Sequence, residues 1–267
     1  MNNFSLKNKV AIVTGALGLL GKQHCYALSE AGANVIVADL NKELANNFAK
    51  ELKTNSIGCF LDVTDLNSIN LMMNKILRHY NKIDILINNA AINDMVENPK
   101  IDLNNSMFEN YPLENWQRSI DVNLTGTFLC SQIIGKEMAK RNFGNIINIA
   151  STYGIVSPNQ NLYKDNNNKQ LFYKPPAYSV TKGAIISFTK YLAAYWASKN
   201  IRVNALSPGG VENKQDEYFI KNYSSYTPLG RMAKPNDYKG AIVFLASEAS
   251  AYMTGANLVV DGGWTIW

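Results

Sequence analysis

Apolar residues gather along this chain in short continuous runs: Val10–Val13, Val35–Ala38, Ile57–Leu61, Ile85–Ile87, Ile146–Ile149, Ile201–Leu206 and Leu258–Val260. A strand with one wet face alternates apolar with polar residues. A strand covered on both faces is apolar throughout, as in parallel sheets. Between the runs, near 18–31, 41–52, 66–80, 113–141, 177–199 and 236–247, apolar residues recur at helical spacing. This alternation predicts an α/β fold, a doubly wound, Rossmann-type parallel sheet in a single domain spanning 1–267. One stretch stands apart. Ser157–Pro176 is polar, asparagine-rich and ends in Pro175-Pro176. Long loops inside compact domains are commonly functional.

Composition narrows the picture. A chain of 267 residues can bury a sizeable core without disulfides or metals. Cys25, Cys59 and Cys130 show no paired spacing and read as reduced core thiols of a cytoplasmic protein. Without a cationic-apolar leader or an apolar run of membrane length, neither secretion nor membrane insertion is expected. The two histidines, His24 and His79, fall in helical stretches, so no His-based metal site or Ser-His-Asp triad is expected. The net charge of +5 is modest. With no basic run interleaved with aromatics, it does not point to nucleic acid. It fits a solvated lysine-rich face or attraction of an anionic ligand.

The first apolar run leads into Thr14-Gly15-Ala16-Leu17-Gly18-Leu19-Leu20-Gly21. Glycines between a strand and a helix allow a tight turn and close approach of backbone to a pyrophosphate. The following helix offers its N-terminal amides to the phosphates. Asp39 ends the second strand, about 20 residues past the last glycine. A carboxylate there accepts hydrogen bonds from ribose hydroxyls and repels a 2′-phosphate, which favours NAD over NADP. Asp39 as a cap for the 41–52 helix is the plainer alternative, and nearby Lys42 softens the discrimination.

Tyr178-Ser179-Val180-Thr181-Lys182 carries the chemistry. Residues four apart share a helix face. An adjacent ammonium favours the phenolate and lowers a pKa that is about 10 in isolation. Tyr178 then takes a proton from an alcohol, or returns it in reduction. Ser151 follows the apolar strand Ile146–Ala150, where it can hold a substrate oxygen. Asn123, in Asp121-Val122-Asn123-Leu124, lies in a predicted helix, a place asparagine disfavours. It is expected to organise a water beside Lys182, unless it simply faces solvent.

These landmarks, with Asp62-Val63, Asn88-Asn89-Ala90-Ala91, Asn204, Pro208-Gly209 and Asp261-Gly262-Gly263, make the chain resemble a short-chain dehydrogenase/reductase over nearly its whole length. The resemblance implies a seven-stranded parallel sheet and a catalytic group of Asn123, Ser151, Tyr178 and Lys182. It implies a cofactor bed of Thr14, Gly15, Gly18, Leu19, Leu20, Gly21, Asp39, Leu40, Asp62, Val63, Asn89, Ala90, Ala91, Tyr178, Lys182, Pro208, Gly209 and Val211. It also implies a homo-oligomer, tetramer or dimer.

Four departures qualify it. The glycine turn reads TGxxGxxG, with Leu19 where compact members carry glycine, a spacing like that of nucleotide-sugar epimerases and dehydratases. Ala91 replaces the glycine of the NNAG motif. Val211-Glu212-Asn213 lacks the threonine that helps hold the nicotinamide. The distance from Ser151 to Tyr178 is about twice the family's usual, the surplus being Ser157–Pro176. That insertion resembles those of oxidoreductases found with surface-polysaccharide and flagellin-sugar biosynthesis. The expected function is NAD-dependent hydride transfer to or from a polar, sugar-like and possibly anionic substrate. The alternatives are an epimerase/dehydratase or a non-catalytic cofactor binder. The insertion is expected to fold over the substrate mouth, where Lys164, Lys169 and Lys174 outnumber Asp165 and where Tyr163, Phe172 and Tyr173 can pack or stack.

Overall fold

The computed structural model describes residues 3–93 and 103–267. Seven strands form one sheet: β1 (Val10–Thr14), β2 (Asn34–Asp39), β3 (Ile57–Phe60), β4 (Ile85–Asn88), β5 (Gly144–Ile149), β6 (Ile201–Pro208) and β7 (Asn257–Val260). Their order is β3-β2-β1-β4-β5-β6-β7, and every pairing is parallel. Each apolar run of the sequence became a strand; β1, β4 and β5 are buried throughout, while the edge strands β3 and β7 leave Phe60 and Val259 exposed.

Side chains alternate between two core layers. Ala11, Val13, Val35 and Val37 meet the helices α1 (Leu19–Glu30) and α2 (Lys42–Glu51) on one face. Val10, Ile12, Ile36 and Ala38 meet α3 (Leu66–Tyr80) and the helices of the other face. Local signals set the helix ends. The Asn41 side chain accepts from Leu44 N at 3.0 Å to open α2. Asp65 does the same for α3 from Asn67 N, and Asn81, at φ 58, closes it in the left-handed conformation. The three cysteines are free and buried.

The helix expected over 113–141 is interrupted. α4 (Leu113–Ser119) passes through a π-turn, Ile120–Thr125, into α5 (Gly126–Lys140). Such bulges frequently mark functional sites, and Asn123 sits within this one. α6 (Pro176–Tyr195) begins at the second proline of the pair, as fixed φ permits at a first helical turn. α8 (Lys239–Ala246) closes the first layer. α7 (Glu217–Ser225) was not among the helices expected from the sequence. The strand order reverses between β1 and β4, and in open parallel sheets ligands bind at the carboxyl edge of such a switch point.

Candidate active site

The glycine turn and the end of β4 are laced together. Thr14 Oγ1 accepts from Asn89 N and Ala90 N, both at 3.0 Å, while Asn89 Nδ2 donates to Thr14 O and Gly15 O at 3.0 Å. Gly15 has φ 60, and a Cβ there would stand 2.8 Å from Ala90 Cα. A Cβ on Gly21 would stand 2.3 Å from Gly15 O, so α1 crosses the turn at a distance only glycine allows. Gly18 caps α1 with no side-chain bond to its first amides. Turn and helix end thus form a cradle of backbone N–H groups suited to an anion.

Asp39 is half-buried at the end of β2, and its Oδ2 accepts from Leu17 N at 2.9 Å. Asn41, not Asp39, caps α2. Asp62 Oδ1 is held by Thr64 N and Oγ1, and Val63 packs on Gly126. Leu40 is exposed at the same edge. Glycines, carboxylate and backbone donors therefore lie along one edge of the sheet.

Beyond that edge opens a cavity of about 1040 Å³. Of the residues expected at the site, Leu19, Leu20, Asn89, Ala91, Ser151, Tyr178, Lys182, Pro208, Gly209 and Val211 line it. Thr14, Gly15, Gly18, Gly21, Asp39, Leu40, Asp62, Val63, Ala90 and Asn123 do not. They form the neighbouring edge and the support behind it. Leu19, in place of a glycine, presents its side chain to the cavity mouth.

Tyr178 and Lys182 lie one turn apart on α6. The Lys182 ammonium is 5.6 Å from the centre of the Tyr178 ring and donates to Ile149 O at 2.6 Å. Burial lowers its pKa from 10.5 to about 8. Ser151 is buried at the end of β5, and its Oγ accepts from Tyr153 N at 3.1 Å. Asn123 is buried rather than solvent-facing. Its Oδ1 accepts from Ile92 N at 2.8 Å, and its Nδ2 donates to Ile92 O at 3.1 Å and Thr181 Oγ1 at 3.2 Å. It ties the segment after β4 to the residue preceding Lys182.

The inserted segment forms one wall. A 3₁₀ turn, Gln160–Tyr163, is followed by a Lys164–Gln170 bridge, with a turn capped by Asp165 Oδ1 on Asn167 N and Lys169 N at 2.9 Å. Lys164, Asp165, Phe172 and Lys174 line the cavity, whereas Lys169 is exposed at the turn and Tyr173 lies outside the lining. The charge expected from three lysines therefore reaches the cavity from two. Tyr163 and Phe172 pack with Phe219 and Tyr223 of α7 and with Trp264.

Sequence reasoning missed this second wall. Tyr223 Oη accepts from Gly210 N at 2.7 Å, and Tyr223 stacks on Trp264 at 4.1 Å. Tyr153, whose hydroxyl lies 3.1 Å from that of Tyr163, also lines the cavity. The i,i+3 and i,i+4 spacing of Phe219, Ile220 and Tyr223, three residues on one helix face, was the available signal. Among the described residues no cluster of His, Cys, Asp and Glu is placed to hold a metal, and no helix is long and apolar enough to cross a membrane.

A family model described as enoyl-(acyl carrier protein) reductase matches residues 15–265. An NAD-dependent glycerol dehydrogenase from Listeria innocua is 32% identical over 99% of this chain and 96% of its own length. A 2-dehydro-3-deoxy-D-gluconate 5-dehydrogenase from Pseudoalteromonas atlantica is 34% identical over 99% of this chain and 98% of its own. Among solved structures, a gluconate 5-dehydrogenase from Burkholderia cenocepacia in complex with NADP and tartrate superposes with a TM-score of 0.85 at 28% identity, covering 100% of this chain and 98% of that one.

Proposed function

The chain belongs to the short-chain dehydrogenase/reductase family and is an oxidoreductase of CH–OH groups that uses a nicotinamide cofactor; from that premise we propose that it is NAD-linked and acts on a polyol or sugar-like substrate, with Tyr178 as acid/base. One observation carries the reading. Tyr178 and Lys182 face each other across a helical turn, and both line the cavity that Ser151 enters from β5.

The geometry supports a division of labour. In oxidation Tyr178 takes the alcohol proton, and in reduction it returns it. The Lys182 ammonium favours the phenolate. Ser151 holds the substrate oxygen by a hydrogen bond. Asn123, bonded to Thr181, fixes α6 against the segment after β4. A nicotinamide held there would supply the hydride or accept it. The glycine cradle would receive the pyrophosphate, Asp39 the ribose hydroxyls, Asp62 and Val63 the adenine side, and Asn89, Ala90 and the Pro208–Val211 loop the nicotinamide side. Asp39 supports NAD, since a 2′-phosphate would meet its charge. The inserted wall, where Lys164 lines the cavity, supports a substrate bearing a carboxylate or phosphate.

The epimerase/dehydratase reading rests on glycine spacing alone and gains nothing from the relatives above. The exposed aromatic side chains Phe128, Tyr191 and Tyr195 on α5 and α6 support a homo-oligomer, and the three buried, unpaired thiols support a cytoplasmic setting.

The test is NADH formation by the purified chain from a panel of polyols, sugar acids and sugar phosphates, with Tyr178→Phe as control. The variant is expected to bind NAD as the parent does and to lose turnover by ~10²–10⁴-fold. A variant retaining a tenth of parental activity rules Tyr178 out as the proton carrier.

A further inference from the structure

We propose that Lys174, delivered by the inserted segment, is a positioning residue for the reaction: a second fixed cation beside Tyr178 that, together with Lys182, sets the pH at which the phenol works. The proposal rests on the reading of Tyr178 as proton carrier. The Lys174 ammonium lies 5.0 Å from the centre of the Tyr178 ring, nearer than that of Lys182 at 5.6 Å. The two cations thus bracket one phenol, one from its own helix and one from the chain that precedes it.

Lys174 is only 7% exposed. The inserted segment and its neighbours hold it in place. Gln160 Oε1 accepts from Lys174 N at 2.8 Å, and Gln160 Nε2 donates to Lys174 O at 3.3 Å. Ser106 Oγ accepts from Tyr173 N at 2.9 Å. Asn93 Oδ1 accepts from the ammonium itself. Pro175 and Pro176 follow at once and fix φ where the chain enters α6.

The other polar groups around the phenol, among the described residues, do not do the same work. Ser151 is neutral. Tyr153 and Tyr163, behind it, keep their protons because burial raises both hydroxyls, Tyr163 to about 12. On the inserted wall, Asp165 is committed to its own turn, next to Lys164. From the loop after β6, Lys214 and Asp216, of opposite charge, both line the cavity, and Asp216 Oδ1 accepts from Phe219 N. Lys182 titrates near 8, so the field it lends fades as pH rises through that value.

The experiment compares Lys174→Gln, which keeps a donor for Asn93 and removes the charge, with Lys174→Arg, which keeps the charge. kcat/KM for alcohol oxidation is followed from pH 5 to pH 10 at saturating NAD. Losing a nearby cation raises the phenol pKa, so the acidic limb of the glutamine variant is expected to move up by about one pH unit. The arginine variant is expected to keep the parental limb. Lys174→Met carries the same expectation as the glutamine variant and stands in for it should that variant fold poorly. A limb that stays in place in the neutral variants overturns the proposal. So does a rise in substrate KM of more than about tenfold with the limb unmoved, because the lysine would then be holding substrate. Tyr178→Phe separates the two levels. If it stays active, the parent reading fails; if it is dead while the limb of Lys174→Gln is unmoved, only the role of Lys174 fails.

Discussion

Lys182 gives up stability to be where it is. Its folded pKa, about 8, lies below the 10.5 of an ordinary lysine, and burial is the cause. Between those two values the unfolded chain holds a proton that the native state lacks, so this group's contribution to stability rises with pH across that window. Below pH 8 both states are charged and the native one bears the desolvation. Lys182→Met is therefore expected to raise the melting temperature of the cofactor-free protein at pH 7 by about 2–4 °C, or about 1 kcal/mol, while abolishing turnover. A lower melting temperature would show that the Ile149 bond outweighs the burial. Asp39→Ala should weaken NAD and improve NADP relative to it, because the repulsion goes; steady-state kinetics with both cofactors decide, and parental preference for NADP defeats the assignment. Ser151 and Asp39 stood out because each follows or ends an apolar strand, and Tyr178 and Lys182 because their four-residue spacing puts them on one helix face. The partners of Asn123 were not, because Ile92 and Thr181 stand 31 and 58 residues away and only the folded chain brings them together.

Elements whose apolar face meets the sheet announced themselves, and those that meet something else did not. The seven strands and the helices packed on them have the periods their burial requires. α7 lies outside that frame. Its Phe219, Ile220 and Tyr223 face the inserted segment and Trp264, so no regular βα rhythm surrounded them in the sequence. The π-turn escaped for a different reason: one extra residue in a helical turn leaves no mark on composition. The inserted segment read as polar loop, yet it buries Leu162, Tyr163 and Lys174. Replacing Asn159–Lys174 by a short Gly-Ser connector should leave NAD affinity intact, since the cradle and Asp39 lie elsewhere. Substrate KM should rise, and α7 should become easier to cleave by protease because it loses its packing partners. Unchanged kcat/KM on the best substrate would make the segment purely structural.

At the scale of the molecule, the parallel sheet was predictable but its strand order was not, since order depends on pairings between distant segments. Burial also links the whole fold to pH through His24, which lies fully buried in α1 with both ring nitrogens unpartnered and its pKa lowered by burial from 6.5 to about 4. In that window the unfolded chain binds a proton the native state does not, so stability falls as pH drops from 6.5 to 4. Urea unfolding at pH 7 and pH 4.5 should show this loss, and His24→Phe should reduce it by about 1–3 kcal/mol. An equal loss in both proteins would assign the acid sensitivity elsewhere. The three cysteines have a practical use. Each is buried, and burial raises each thiol's pKa, so none is both accessible and ionised near neutrality. A single cysteine introduced at Lys169, on the exposed tip of the inserted segment, would then take a maleimide dye alone, with no native thiol to strip away first. The molecule is in effect pre-cleared for site-specific fluorescence, and the tip beside its substrate cavity is where a reporter would be most informative.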